Sequence, residues 1–127
     1  KSFMMSYSDV LVTVYSPMVV ETAVHDTPIV AAVIDVPGGW NKPKKFSLSL
    51  KKIGNWPTHK RFREAKAGRV ASNEKELCET INLYLKNPSL DAAERRKFIE
   101  DEITFTDGTS GKRTAEYILK ILEKSNH

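Results

Sequence analysis

With 127 residues, 40% hydrophobic and 28% charged, the chain has the size and composition of one folded domain and is not disordered by composition. Twenty Lys and Arg against 16 Asp and Glu give a net charge of +4, which favours polyanions, anionic membrane or a phosphorylated substrate, and equally suits a solvated basic face. The lone Cys78 excludes an internal disulfide and no apolar run nears the roughly 18 residues of a membrane-spanning helix; with no signal-peptide pattern, a reducing, cytoplasmic setting is expected.

The first residue is Lys1, so the chain reads as a processed or excised piece. Residues 9–15, DVLVTVY, run apolar without clean alternation, which suits a strand of a parallel sheet buried on both faces. Tyr15-Ser16-Pro17 then makes a sharp polar turn, with Ser16 placed as a helix N-cap and Pro17 as the first helical residue, where its fixed φ and missing N–H cost nothing. The helix spans 17–25 and carries Glu21 in its first turns. Pro28 ends it, because the residue before a proline avoids helical geometry. Residues 29–34, IVAAVI, form a second buried strand closing on Asp35. Two parallel strands joined through a helix need a right-handed crossover, and the ligand crevice of such sheets lies beyond the C-terminal strand ends, where Tyr15, Ser16 and Asp35 fall.

Residues 36–57 carry Pro37-Gly38-Gly39, Lys42-Pro43 and Gly54-Asn55-Trp56-Pro57 with no clear period. They read as a long loop with a small strand or helical turn at 46–50, and long loops at a ligand end are usually functional or mobile. A short basic helix at 58–67 and a brief strand at 68–71 follow. Asn73 with Glu76 is a capping-box-like pair opening a helix over 74–85, where Leu77, Ile81 and Leu85 recur at helical spacing. Asp91 with Glu94 repeats the device for 92–103. Ser110 caps a last helix in which Ala115, Ile118, Leu119 and Leu122 share a face.

The unit 9–35 places backbone N–H groups at a helix N-terminus, a seat for a phosphate or diphosphate. Each candidate also has a plainer role: Ser16 as a cap, Glu21 as a solvated residue favoured by the helix dipole, and His25 as a C-terminal cap. Asp35 orients a substrate or merely closes its strand, with the second preferred. Gly38 and Gly39 allow close approach to a ligand but are first of all a turn. His59, with Lys60, Arg61 and Arg63, offers positive charge or a general acid near phosphates, although such a histidine is more often an exposed polar residue. Residues 107–111, DGTSG, lack the Gly-Lys-Ser/Thr ending of a triphosphate loop, and no His and Cys stand at metal-ligand spacing.

The runs VTVYSPMVVETAVHDTPIVAAV, HKRFREAKAGRVASNEKELCETINLYLKNP and ERRKFIEDEITFTDGTSGKRTAEYILKIL, in this order across about residues 7–122, resemble the C-terminal domain of GT-B glycosyltransferases. They are most similar to the branch of CDP-glycerol glycerophosphotransferases and relatives of UDP-N-acetylglucosamine 2-epimerase. The resemblance implies a Rossmann-like three-layer α/β/α fold with a short parallel sheet, the C-terminal half of a GT-B fold, ending in helices. It implies one domain over 1–127 that binds a nucleotide-diphosphate donor such as a UDP-sugar or CDP-glycerol as substrate, with no separate cofactor and no metal. Ser16 and the amides of Met18 and Val19 would face the diphosphate, and Glu21 would accept hydrogen bonds from the ribose. Pro17 stands where relatives often carry Gly or a second Ser, and it removes one donor from the seat. Tyr15, Asp35, Gly38, Gly39, His59 and Arg61 are the additional candidates.

Three functions follow. The leading one is the donor-binding half of a glycosyl- or glycerophosphotransferase of cell-surface carbohydrate or polyol-phosphate synthesis, at the inner face of the membrane. The second is a sugar-nucleotide 2-epimerase domain, and the third a non-catalytic basic α/β module that docks an anionic partner such as nucleic acid or membrane through residues 42–63, nucleic acid being the less expected of the two. Three strands make a meagre sheet, so the chain is expected to be a truncated domain, inactive alone and lacking an N-terminal acceptor domain, with peripheral membrane association and homodimers through the edge at 9–15 as further expectations.

Overall fold

A computed structural model describes residues 2–34 and 50–125. The chain is α/β: seven helices and a three-stranded parallel sheet are present among the described residues. The sheet consists of β1 (Leu11–Thr13), β2 (Ile29–Ala32) and β3 (Arg69–Ala71), in the spatial order β1-β2-β3. Leu11 aligns with Ile29 and Val30 with Arg69, and the ladder extends through Leu11 N–H to Pro28 O (2.8 Å) and Val33 N–H to Ala71 O (2.7 Å).

The apolar run of β2 is explained by burial on both faces. Ile29, Ala31 and Val33 pack with Tyr15, Val19, Ala23, Phe62, Phe98 and Ile99, under helices α2 (Met18–Val24), α4 (Pro57–Glu64) and α6 (Ala92–Glu102). Val30 faces the other way, onto Ala71 and Tyr84 beneath α5 (Glu74–Lys86). Helices on both sides of the sheet make the three layers. The strand at 9–15 is shorter than expected and is not buried on both faces: β1 is an outer strand, and Val12 and Val14 remain exposed because α5 covers only β2 and β3.

Helix α1 (Ser2–Tyr7) carried no strong sequence signal. It is anchored by Met5, which is buried, and by the Thr27 hydroxyl donating to the Met5 carbonyl (2.7 Å). Helix α3 (Leu50–Ile53) falls in the stretch read as loop, and α4 begins on Pro57 with Trp56 extended before it. Gly68 is required where α4 leads into β3: an added Cβ would stand 2.5 Å from the Ile29 carbonyl oxygen and 2.6 Å from the Phe62 ring.

The caps divide the expectations. Asn73 Oδ1 accepts the Glu76 N–H (2.9 Å) while the Glu76 carboxylate accepts the Ser72 N–H (2.7 Å), so the first capping device forms. The second does not. Asp91 adopts a left-handed conformation (φ 59°) and spends its carboxylate on Arg69 (2.9 Å) and the buried Tyr84 hydroxyl (2.7 Å) instead of on the α6 amides. Burial alone would raise the Asp91 carboxyl, but these two hydrogen bonds and the Arg69 charge outweigh it and hold it below its usual range.

Helix α7 (Ser110–Ser125) buries none of its residues, and Ile118, Leu119 and Leu122 form an exposed stripe. Its start is fixed by Asp107, which accepts from the Thr109 N–H (3.0 Å) and hydroxyl and pairs with Arg113, rather than by Ser110. Among the described residues no helix is long and apolar enough to cross a membrane.

Candidate functional site

The Tyr15–Ser16 turn lies just past the C-terminal end of β1. Tyr15 sits at φ 37°, a conformation costly for a residue with a Cβ, and its ring is turned inward and 8% exposed. That inward turn presents Ser16 at the start of α2. Pro17 already has helical dihedrals (φ −53°, ψ −18°), and the Ser16 hydroxyl oxygen accepts the Met18 N–H (3.2 Å). The Val19 N–H donates to the Ser16 carbonyl (3.1 Å). Met18 and Val19 therefore spend their N–H groups within the turn, Pro17 has none, and the Ser16 hydroxyl keeps its own proton to donate.

Glu21 is exposed in the first turn of α2, and His25 ends the helix through its N–H to the Thr22 carbonyl (3.0 Å). Arg61 is directed to α6, where it pairs with Glu102 (3.1 Å). Asp35, Gly38 and Gly39 lie outside the described residues, as do the basic run 42–45 and Trp40.

His59 is not the exposed polar residue that its surroundings in the sequence suggested. It is 7% exposed, its ring 4.8 Å from that of Tyr15 and stacked on Trp56 at 6.4 Å. Burial lowers its pKa, so near neutral pH it is an uncharged wall behind Tyr15 rather than a cation. The Tyr15 hydroxyl is shifted upward by burial, an effect partly offset by the positive charge of Arg63.

Arg63 and Gly54 are the residues that sequence reasoning undervalued. Arg63 stands one turn after His59 on α4, and the i, i+4 spacing was the available signal. Gly54 touches the Tyr15 ring so closely that an added Cβ would lie 2.5 Å from the hydroxyl oxygen. Tyr15, Gly54 and His59 pack together just past the end of β1, the positive charge of Arg63 acts on the Tyr15 hydroxyl, and Ser16 follows Tyr15 at the start of α2. Among the described residues no group of three or more His, Cys, Asp or Glu could hold a metal.

In open parallel α/β sheets ligands bind beyond the C-terminal strand ends, and Tyr15 and Ser16 lie past that end of β1. The chain belongs to the CDP-glycerol:poly(glycerophosphate) glycerophosphotransferase family, whose model matches residues 2–120. It is thus a glycosyltransferase-like domain of transferase type. No curated protein and no solved structure matches it significantly.

Proposed function

We propose that the chain is the donor-binding domain of a GT-B-type transferase that takes a nucleotide-diphosphate donor, CDP-glycerol first, in polyol-phosphate synthesis. The observation that carries the reading is the family match over residues 2–120, which spans the whole sheet and the Tyr15–Ser16 corner at its ligand end.

In that reading the Ser16 hydroxyl donates to a diphosphate oxygen and Glu21, a turn further along α2, accepts from the ribose diol. Transfer of glycerophosphate has an acceptor hydroxyl attack the phosphorus that bears glycerol, while the phosphoanhydride bond breaks and CMP departs with the electron pair. The domain's part is to hold the leaving nucleotide and to stabilise its growing charge with fixed donors, which serves the transition state more than the ground state. Acceptor and general base belong to other parts of the enzyme.

Calorimetry of the 127-residue chain with CDP, UDP and CDP-glycerol tests this. Binding of CDP or CDP-glycerol, weakened by both Ser16→Ala and Glu21→Ala, is the expected result. Failure of all three ligands to bind the folded chain would sink the proposal.

A further inference from the structure

Three cationic side chains stand within one turn of α4, and they are not treated alike. Lys60 pairs with Glu64 (3.6 Å) and Arg61 with Glu102 (3.1 Å), both facing outward from the site. Arg63 acts electrostatically on Tyr15, and among the described residues its side chain donates from Nη2 to the neutral amide oxygen of Asn55 (2.9 Å), a bond exposed to solvent. Its Nε is buried and has no acceptor among the described residues. A buried donor without a partner is costly, so the fold retains an unsatisfied guanidinium edge near Tyr15.

The surroundings narrow what would satisfy it. Tyr15, Trp56 and the uncharged His59 supply an aromatic wall but no anion. The Ser16 turn consumes the Met18 and Val19 amides, so its hydroxyl alone adds little charge stabilisation. A guanidinium fork matches two oxygens of one phosphate group, the geometry in which Arg binds more strongly than a point charge.

We infer that Arg63 is the phosphate-docking residue of this corner, releasing Asn55 to clamp the donor's diphosphate from the α4 side while Ser16 holds it from the α2 side. The inference rests on the donor-binding reading above for the identity of the ligand, and, for the anion, on the Arg63 Nε that finds no acceptor among the described residues. Because the Asn55 bond is exposed, exchanging it for a charged acceptor is favourable.

The test is calorimetric titration of the chain with CDP, cytidine and inorganic pyrophosphate at one fixed salt concentration, for wild type, Arg63→Gln, Arg63→Lys and the outward-facing control Lys60→Gln, each checked by circular dichroism for a native melt. Arg63→Gln should weaken CDP and pyrophosphate about tenfold or more and leave cytidine unchanged, and Arg63→Lys should restore only part, since it returns the charge without the fork. Lys60→Gln should stay within about twofold, the limit expected for a screened surface charge. If Arg63→Gln and Lys60→Gln behave alike, the inference is wrong even where CDP binding upholds the donor reading. If pyrophosphate binds through Arg63 but CDP gains nothing over it, the anion seat stands and the donor reading falls. Should wild type bind neither CDP nor pyrophosphate, both are overturned.

Discussion

Replacing Gly54 by alanine probes the wedge on which the site corner depends. A Cβ there would stand 2.5 Å from the Tyr15 hydroxyl oxygen, 2.6 Å from Cζ and 2.7 Å from Cε2. Ordinary contact begins near 3.4 Å, so the ring must retreat by roughly 0.7–0.9 Å. It has little room, because the His59 ring lies against it, tilted, at 4.8 Å and its own backbone is held at φ 37°. Overpacking of this kind costs about 1–3 kcal/mol. At this chain length each kcal/mol lowers the melting temperature by roughly 3–5 °C, so a fall of about 3–15 °C is expected by scanning calorimetry or circular dichroism. The double variant with Tyr15→Leu separates the contact from any change in α3: with the ring gone, the alanine should cost about 1 kcal/mol less than it does in wild type. A Gly54→Ala protein within about 0.5 kcal/mol of wild type, or one equally destabilised in both backgrounds, would refute the reasoning.

Arg95 is fully buried and donates to Asp26 (2.9 Å), the Leu90 carbonyl (2.7 Å) and the Pro88 carbonyl (3.2 Å), whereas the Asp26 side chain is 55% exposed. Arg95→Ala should therefore cost about 3–4 kcal/mol in urea unfolding and Asp26→Asn, which tolerates the left-handed backbone at φ 55°, about 1 or less; equal costs would mean that the ion pair to the end of α2, not the carbonyls of the loop before α6, is what Arg95 contributes. Asp91→Ala should cost about 2–3 kcal/mol, since it strands the Tyr84 hydroxyl and frees Arg69, while Asp91→Asn, which tolerates the left-handed backbone and keeps an acceptor, should cost clearly less. His59 has its pKa lowered in the folded chain, so the unfolded chain binds its proton more readily; stability should be full above about pH 7 and decline as pH falls through the ordinary histidine value near 6.5, levelling below the lowered one. His59→Phe should remove that part of the slope, and an unchanged pH profile would show that burial of the imidazole contributes nothing.

The α/β architecture was legible because its signals are strong where packing is simplest. The run 29–34 is apolar on both faces because β2 is central, and the Asn73–Glu76 pair caps a long amphipathic helix. Legibility failed where tertiary partners outbid local chemistry. Asp91 looked like a cap but pairs with Arg69 and Tyr84, contacts 22 and 7 residues away, and no local pattern carries that information. The strand at 9–15 looked doubly buried because its apolar content resembles that of β2, and only the sheet order shows that its outer face is open. At the site, the turn at Tyr15–Ser16 could be read from Ser-Pro, but the inward course of Tyr15 depends on Gly54 and His59, and the burial of His59 on Tyr15, partners far apart in the sequence.

The corner also shows how its chemistry is shared between two elements. The α2 end supplies position: its amides are spent on Ser16, so its own hold on an anion is small. The α4 end supplies the charge proposed to act there, through Arg63, and α4 is set in place by Phe62, fully buried in the sheet's core, and by Gly68, which has no room for a Cβ against Ile29. A fault in that packing should therefore appear as weaker anion binding before it appears as a changed turn at Ser16. Gly68→Ala supplies the case: its Cβ would press on a backbone oxygen that cannot swing away, so α4 must yield. Pyrophosphate affinity should then fall while the Ser16 turn, judged from the Met18 and Val19 amide signals in nuclear magnetic resonance, stays as in wild type. The opposite pattern, altered amides with unaltered affinity, would place the anion's charge on α2 after all.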